Sequence, residues 1–354
     1  MIGESIHGTA QFPQLREALS LHLARRFGFR ILALEGPYAS CLNPITSALT
    51  RQAFATGIRR CIPSNWYTEE SVSALWRLVA DPDGPRMKVY GFDIQPTELL
   101  PASEYTALVR AAVSATASDA VANDVASAFN TIHEHLWDKT DGIGYLTSNF
   151  VRLNQELERL TDGAKHWKTS TLHTGRQILV SETHFLAYWR AAESGDWHKF
   201  MVLRDRGMAD NLAWIVNANP TEKILVWAQN GHVAMSRSVA SDAPTPLMGE
   251  LVRARFGEVV VSVAMVMGEG SADRRKGQTI VVPAPGSQVV ESLMMPYPIA
   301  YVLSKQLCGT PPFSSVGHFA IRDNGTIEIG YNCNPSAFDA IFFVRDVSAP
   351  KYMY

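Results

Sequence analysis

The chain has 354 residues, of which 46% are hydrophobic and 19% charged, and its formal net charge is −2. These values predict a globular protein with one large domain or two modest ones, and they exclude the strongly basic surface that binds nucleic acid or anionic membrane. No stretch approaches the ~20 apolar residues of a membrane span. The first ten residues are polar and glycine-rich, so no signal peptide is visible. We expect a cytoplasmic protein, with an exported protein that lacks its leader as the alternative.

The N-terminal segment Gly3-Glu4-Ser5-Ile6-His7-Gly8-Thr9 contains a glutamate and a histidine three residues apart, beside glycines. This composition suits a strand-to-helix turn that holds a base and an acid at the mouth of a pocket. Because only Met1 and Ile2 precede the turn, we expect the first strand to be truncated or the start to be misassigned.

The first helix is predicted between Thr9, which can cap it, and Gly28, which can end it. An apolar stripe runs along it at helical spacing: Phe12, Leu15, Leu19 and Leu23. Arg16 lies about 40° from Phe12 on the same face. Its guanidinium must therefore meet a carboxylate or a substrate, unless its head reaches the helix edge.

Later segments form short apolar runs that predict strands at residues 30–35, 87–93, 223–227, 258–267 and, in the tail, 340–345. Helical patterns alternate with the earlier runs, which indicates parallel βα units. Residues 101–217 are rich in Ala, Leu, Glu and Arg and predict a largely helical insert or lid. We therefore expect an α/β fold: a mostly parallel sheet flanked by helices, with its core in 1–100 and 218–354. The helical subdomain is expected to cover a cleft at the C-terminal ends of the strands.

Ionisable side chains stand at four of the expected strand ends: Glu4 with His7, Glu35, Asp93 and His232. Ligands bind beyond the carboxyl ends of the strands in open parallel sheets. Each residue alone has a structural explanation, since Asp93 could cap a helix and His232 could be a packed histidine. Their recurrence at one edge of the sheet predicts an enzyme active site.

Several chemistries lack their sequence signatures. The chain has no nucleophile elbow, no P-loop, no dinucleotide-binding glycine motif and no zinc-protease helix motif, and we expect no cofactor. Four scattered cysteines without metal-ligand spacing are expected to be buried, reduced thiols: Cys41, Cys61, Cys308 and Cys333. What remains is a histidine that activates water, with Arg16 and a second imidazole to stabilise an oxyanion.

The chain resembles the erythromycin esterase family, which includes macrolide esterases and succinoglycan-biosynthesis-like hydrolases. The resemblance lies in residues 3–9, 15–16, 33–35, 90–93, 204–211, 227–233 and 338–341. It implies hydrolysis of a carboxylic ester or macrolide-type lactone without a metal or a covalent intermediate. By position, His7 would activate the water and Glu4 and Glu35 would orient it or the histidine. Arg16 and His232 would stabilise developing charge.

One departure from the family is Gln229, where members often carry a histidine, because a glutamine forms hydrogen bonds but cannot carry a proton. We expect Asp93, Gln229, Tyr38 and Trp66 to line the cleft for a small ester or lactone substrate.

Two alternatives stay open. One is a metal-dependent hydrolase with Glu4, His7, Glu35 and His232 as ligands. The other is a non-catalytic accessory protein that binds a polyketide or saccharide.

Overall fold

The protein is described here by a computed structural model that covers residues 1–41, 50–97, 99–114, 118–136, 142–164, 172–236, 246–273, 277–287, 289–306, 321–323, 327–329 and 336–353. Its strands are β1 (Phe29–Pro37), β2 (Lys88–Asp93), β3 (Lys223–Trp227), β4 (Val263–Asp273), β5 (Thr279–Val282), β6 (Ile299–Leu303), β7 (Ile321–Asp323), β8 (Ile327–Ile329) and β9 (Ala340–Val347). Its helices are α1 (Gln11–Phe27), α2 (Arg51–Ile58), α3 (Glu69–Val79), α4 (Ala102–Ser114), α5 (Asp119–Leu136), α6 (Gly142–Ala164), α7 (Leu172–Glu193), α8 (Trp197–Ala218), α9 (Asn230–Val233), α10 (Met248–Phe256) and α11 (Val290–Met294).

The main sheet has two groups of strands. In the first, β1 lies between β2 and β3, and all three are parallel. In the second, the order is β5-β4-β9-β6, with β4 and β9 parallel and the two outer strands antiparallel. Ile2 bridges both Trp227 and Val263, so it joins the groups. The predicted α/β fold with a mostly parallel sheet is therefore confirmed.

The N-terminal residues occupy the gap between β3 and β4. The Ile2 amide donates to the Val226 carbonyl at 2.8 Å, and the Gly3 amide donates to the Val263 carbonyl at 2.7 Å. The turn that carries Glu4 and His7 consequently starts at the middle of the sheet, beside the carboxyl end of β3.

Strand β1 is buried on both faces, as expected for a central parallel strand. Leu32 and Leu34 point into one apolar cluster, with α1 and α3, and Ile31 and Ala33 point into the other, with α8 and α10. This alternation follows from the two-residue period of a strand. The same alternation determines on which side of the sheet each side chain at the end of β1 lies.

The first helix ends at Gly28, as predicted, in the left-handed conformation (φ 74°) that glycine adopts without a Cβ penalty. At its start, the Thr9 hydroxyl accepts from the Phe12 amide at 3.4 Å. Arg16 faces the interior with its side chain 2% exposed, so its head does not reach the helix edge. This guanidinium therefore needs a buried partner.

Helices α4 to α8 follow one another along the chain, as the sequence pattern indicates. Helices α4 to α7 share an apolar cluster, whereas Met208 and Leu212 of α8 also pack against the sheet. The division into a core and a helical insert remains a prediction. Among the residues that the structure describes, no helix is long and apolar enough to cross a membrane.

Two cysteines correct the expectation of reduced thiols. Cys41 and Cys61 form a disulfide with a Cα–Cα distance of 4.8 Å, while Cys308 and Cys333 lie outside the described residues. The chain turns back at the end of β1, where Gly36 packs against the Cys61 carbonyl, and this tertiary approach is not visible in the spacing of the two residues. Disulfides form chiefly in oxidising compartments. This bond therefore does not support the expected cytoplasmic location, which remains a prediction.

The disulfide should stabilise the protein by reducing the conformational entropy of the unfolded chain. For a separation of 20 residues, replacing both cysteines by serine (Cys41→Ser with Cys61→Ser) should lower the free energy of unfolding by about 3 kcal/mol. Urea denaturation without reductant measures this. Reductant should destabilise the wild type and leave the double variant unchanged; equal stability of both proteins without reductant would contradict the bond's contribution.

Candidate active site

Four neighbouring segments of the sheet bring charged side chains to its carboxyl edge. Strand β2 ends at Asp93, β1 delivers Glu35, and β3 leads into α9, which carries His232. The segment beside β3 leads directly to Glu4 and His7. The sequence placed these residues at strand ends separately, and the structure brings them into contact.

Asn230 fastens the N-terminal turn to this edge. Its side chain donates to the Met265 carbonyl at 2.9 Å and to the Ser5 hydroxyl at 3.3 Å, and its backbone amide donates to the Glu4 carbonyl at 2.8 Å. Gly3 makes this possible, because a Cβ there would lie 2.2 Å from the Asn230 side-chain oxygen. The position of Glu4 is thus tied to the end of β3.

Glu4 is fully buried and holds the imidazole of His7. The Nδ1 atom of His7 lies 2.7 Å from Glu4 Oε1, and the indole N–H of Trp66 donates to the same oxygen at 2.8 Å. The indole N–H also lies 2.8 Å from Nδ1 of His7. Because a carboxylate can only accept hydrogen bonds, we assign the proton of Nδ1 to the contact with Glu4, and Nε2 is then directed toward Glu35. The His7 side chain remains 13% exposed.

Arg16 lies beneath Glu4. Its NH1 atom is 3.1 Å from Glu4 Oε2, its NH2 donates to the Ala228 carbonyl at 2.6 Å, and its guanidinium stacks near the Trp66 and Trp227 rings. Burial lowers the pKa of Arg16 from its ordinary value, against the opposing effect of Glu4. The guanidinium neutralises Glu4 from inside the protein.

Glu35 is the carboxylate that several elements share. Its Oε2 accepts from the Gln229 amide at 2.7 Å, and its Oε1 accepts from Arg204 NH2 at 2.9 Å. The Nε2 atoms of His232 and His7 lie 3.4 Å and 3.8 Å from Oε1. Burial alone would raise the pKa of Glu35, but the neighbouring cations outweigh it and hold that pKa well below its usual range. Glu35 is therefore ionised.

Arg204 of α8 is the guanidinium at the cleft. It binds Asp93 through Nε at 3.2 Å and NH2 at 2.6 Å, and NH2 also reaches Glu35. Its side chain is 15% exposed, against 2% for Arg16. Burial opposes its charge, yet Asp93 and Glu35 raise the pKa of Arg204 above its ordinary value.

His232 is buried between two carboxylates. Its Nδ1 lies 2.5 Å from Asp205 of α8, and its Nε2 faces Glu35 with Arg204 NH1 at 3.3 Å. Burial disfavours the charged ring, but Asp205 and Glu35 outweigh it and raise the pKa of His232 to about 10. The two carboxylates therefore favour the charged form of this imidazole.

Three residues expected at the substrate are buried and contact other protein groups. Arg16 is enclosed under Glu4 with its side chain 2% exposed, and its expected role at an oxyanion stays a prediction. Trp66, 3% exposed, donates to Glu4 instead of lining the cleft. Tyr38, 1% exposed, packs edge-on against Trp214 in the apolar cluster of the helical layer, where burial raises the pKa of its hydroxyl.

Asp93 and Gln229 lie at the edge of the site, but their observed contacts are to protein groups. Asp93 binds Arg204 and accepts from the Gln95 amide at 3.2 Å. Gln229 uses its backbone amide to bind Glu35, and its side chain is partly exposed. Their expected roles in substrate binding stay predictions.

Sequence reasoning did not include Arg204 and Asp205 among the site residues, although it singled out their segment. The sequence pattern of α8 does point to Asp205, because this residue lies at helical spacing with the buried residues Met208, Ala209 and Leu212. A carboxylate on the apolar face of a helix requires a buried partner. That partner is His232.

Metal binding was the alternative use of the same side chains. Within the described part of the chain, no three His, Cys, Asp or Glu side chains are grouped so that they could hold a metal ion. Both oxygens of Glu35 already accept hydrogen bonds from Arg204 and Gln229.

The profile of the erythromycin esterase family matches residues 24–347 of the chain. Glu4, His7 and Arg16 precede the matched range. Among curated proteins, none shows a significant sequence match.

Solved structures share the fold over the whole chain. A crystal structure of a Bacillus cereus protein has a TM-score of 0.75 at 15% identity, covering 100% of this chain and 89% of that one. A succinoglycan biosynthesis protein has a TM-score of 0.70 at 17% identity, with 99% and 89% covered. A mutant of the erythromycin esterase EreC, in its open conformation, has a TM-score of 0.70 at 18% identity, with 99% and 91% covered.

The buried pair of Arg16 and Glu4 yields a stability prediction. Arg16→Met removes the cation and leaves Glu4 buried, so the free energy of unfolding should fall by about 3–5 kcal/mol. Arg25→Met, the same change at an exposed position of α1, serves as the control and should change it by under about 0.5 kcal/mol. Urea denaturation measures both variants; equal effects would show that Arg16 does not stabilise Glu4.

Proposed function

Because the chain belongs to the erythromycin esterase family, we propose that it hydrolyses a carboxylic ester or lactone of a small molecule by direct attack of water, with no covalent intermediate. One observation carries the proposal: the Nε2 atoms of two carboxylate-bound imidazoles, His7 and His232, both face the buried carboxylate of Glu35.

His7 is the proposed base. With Nδ1 bound to Glu4, its Nε2 keeps a lone pair, and 3.8 Å to Glu35 is too long for a direct hydrogen bond. This spacing suits a water that bridges the two groups. The water oxygen attacks the acyl carbon while its proton passes to Nε2 of His7.

His232 and Arg204 are the proposed stabilisers of the oxyanion. Both are cations held in place by carboxylates, so their N–H groups require little rearrangement as charge develops on the carbonyl oxygen. The tetrahedral intermediate then breaks its bond to the leaving oxygen, which takes the proton from His7. An acid and an alcohol result, or, from a lactone, one opened chain that has gained one water.

A macrolide-type lactone is the proposed substrate class. Its support is the family and the fold shared with the EreC esterase mutant. Gln229 can hydrogen-bond a substrate but cannot transfer a proton, so proton transfer in this chain is assigned to His7.

His7→Ala should reduce ester turnover by about 10²–10⁴-fold, because general-base catalysis contributes that much. His22→Ala, at an exposed histidine of α1, is the control and should keep wild-type turnover. Mass spectrometry of a panel of macrolides, simple lactones and aryl esters measures the gain of one water, with and without EDTA.

Each outcome of the panel discriminates. Full turnover by His7→Ala would refute the role of His7, and loss of turnover with EDTA would favour the metal-dependent alternative. Tight binding of a macrolide without turnover of any ester would favour the accessory binding protein.

A further inference from the structure

Asp205 forms the shortest contact to His232, at 2.5 Å from Nδ1, and both side chains are at most 5% exposed. It lies on α8, while His232 lies on α9 and Glu35 on β1, so the three residues come from three elements. We propose that Asp205 is a positioning residue that fixes His232 with both ring nitrogens protonated and Nε2–H directed at Glu35 and the cleft. The proposal deepens the proposed function and rests on it.

The geometry around the ring assigns its protons. Asp205 Oδ1 faces Nδ1 and Glu35 Oε1 faces Nε2. A carboxylate oxygen accepts hydrogen bonds and donates none, so Nδ1 donates to Asp205, and turning the ring would break that contact. Nε2 lies between Glu35 Oε1 at 3.4 Å and Arg204 NH1 at 3.3 Å, so its proton is assigned from the charges around the ring, two carboxylates against one guanidinium.

His7 is held differently although it also binds a carboxylate. Its Nδ1 contacts Glu4, but its Nε2 stands 3.8 Å from Glu35, against 3.4 Å for His232. The nitrogen of His7 is thus open to accept a proton from water, whereas that of His232 is committed as a donor. The two imidazoles divide the roles of base and cationic donor.

Asp205 is needed because Glu35 cannot hold the cation alone. The charged groups that interact with His232 among the described residues are Glu35 from β1 and Arg204 and Asp205 from α8. Arg204 repels the imidazolium and also takes up Oε1 of Glu35. Without the charge of Asp205, the balance shifts toward the neutral ring, which has one donor fewer.

Asp205→Asn tests this with little change of shape. The amide oxygen can still accept from Nδ1–H, but the negative charge is gone, so the pKa of His232 should fall from about 10. The alkaline limb of the pH profile of kcat for ester turnover should move to lower pH. The loss of kcat should widen from pH 6 to pH 9 and reach about 10²-fold or more at the upper end, with a smaller change in KM.

Asp210→Asn is the matched control: the same substitution on the same helix, at a half-exposed carboxylate that pairs with His184 and Arg255. It should leave the pH profile unchanged. Asp205→Glu, which keeps the charge, should restore part of the alkaline activity. A residue needed only for folding would lower the melting temperature without moving the alkaline limb.

A second readout does not depend on turnover. Titration of the histidine imidazoles by nitrogen-15 NMR in the wild type and Asp205→Asn should show one ring whose titration moves to lower pH, and the assignment to His232 is made with His232→Gln. An unchanged titration, or an unchanged alkaline limb in Asp205→Asn, overturns the proposal. If the wild type turns over no ester, the proposed function is wrong, and so is the catalytic role of Asp205. The titration still decides whether Asp205 holds His232 as an imidazolium.

Discussion

The architecture of the site depends on one buried anion, the carboxylate of Glu35. An ion removed from water is costly unless hydrogen bonds and opposite charges replace its hydration. Glu35 obtains them from Arg204, the Gln229 amide and His232. Those groups come from the helical layer and from the loop after β3. Both elements must therefore meet the end of β1 if the carboxylate of Glu35 is to have its hydrogen bonds and opposite charges. The need to compensate this buried charge thus determines where the other site residues lie.

A second consequence is that two chemically identical side chains acquire different properties. The two rings differ in the groups that surround their nitrogens. His232 is enclosed, with Asp205 2.5 Å from Nδ1 and both Glu35 and Arg204 within 3.4 Å of Nε2, while His7 is partly exposed, with Glu4 2.7 Å from Nδ1 and Glu35 3.8 Å from Nε2. In the proposed reaction His7 is therefore the base and His232 is the cationic donor, so that neither ring has to perform both roles.

The sequence predicted those parts of the fold that local patterns determine. Strand β3 begins at Lys223 and ends at Trp227 as expected, and Gly28 ends α1, because apolar runs and glycine stops are local signals. Glu4, His7, Glu35 and His232 meet because parallel strands align their carboxyl ends. Strand β4, by contrast, is predicted at residues 258–267 but runs from Val263 to Asp273, since pairing with β5 and β9 extends it.

Other features required tertiary contacts that no local pattern carries. Trp66 and Tyr38 are aromatic residues of the kind that often line ligand-binding clefts, yet both are buried by the packing of neighbouring elements. The disulfide between Cys41 and Cys61 depends on the return of the chain to the end of β1. Arg204 and Asp205 lie on a long helix, and a helix by itself does not reveal which of its turns will meet the sheet.

Helix α8 therefore belongs with the sheet in energetic terms, although its sequence pattern groups it with the helices before it. Without α8, the edge of the sheet would present Glu35 and Asp93 close together with no guanidinium between them, and His232 would lose the carboxylate at Nδ1. Removing one partner of a buried ion pair costs about 3–5 kcal/mol, and two such pairs are anchored at Arg204 alone. Helices α4 to α7 share an apolar cluster against which Phe200, Leu203 and Trp214 of α8 also pack. Displacing α8 would break the charge compensation on which the site depends, so α8 ties the helical layer to the edge of the sheet.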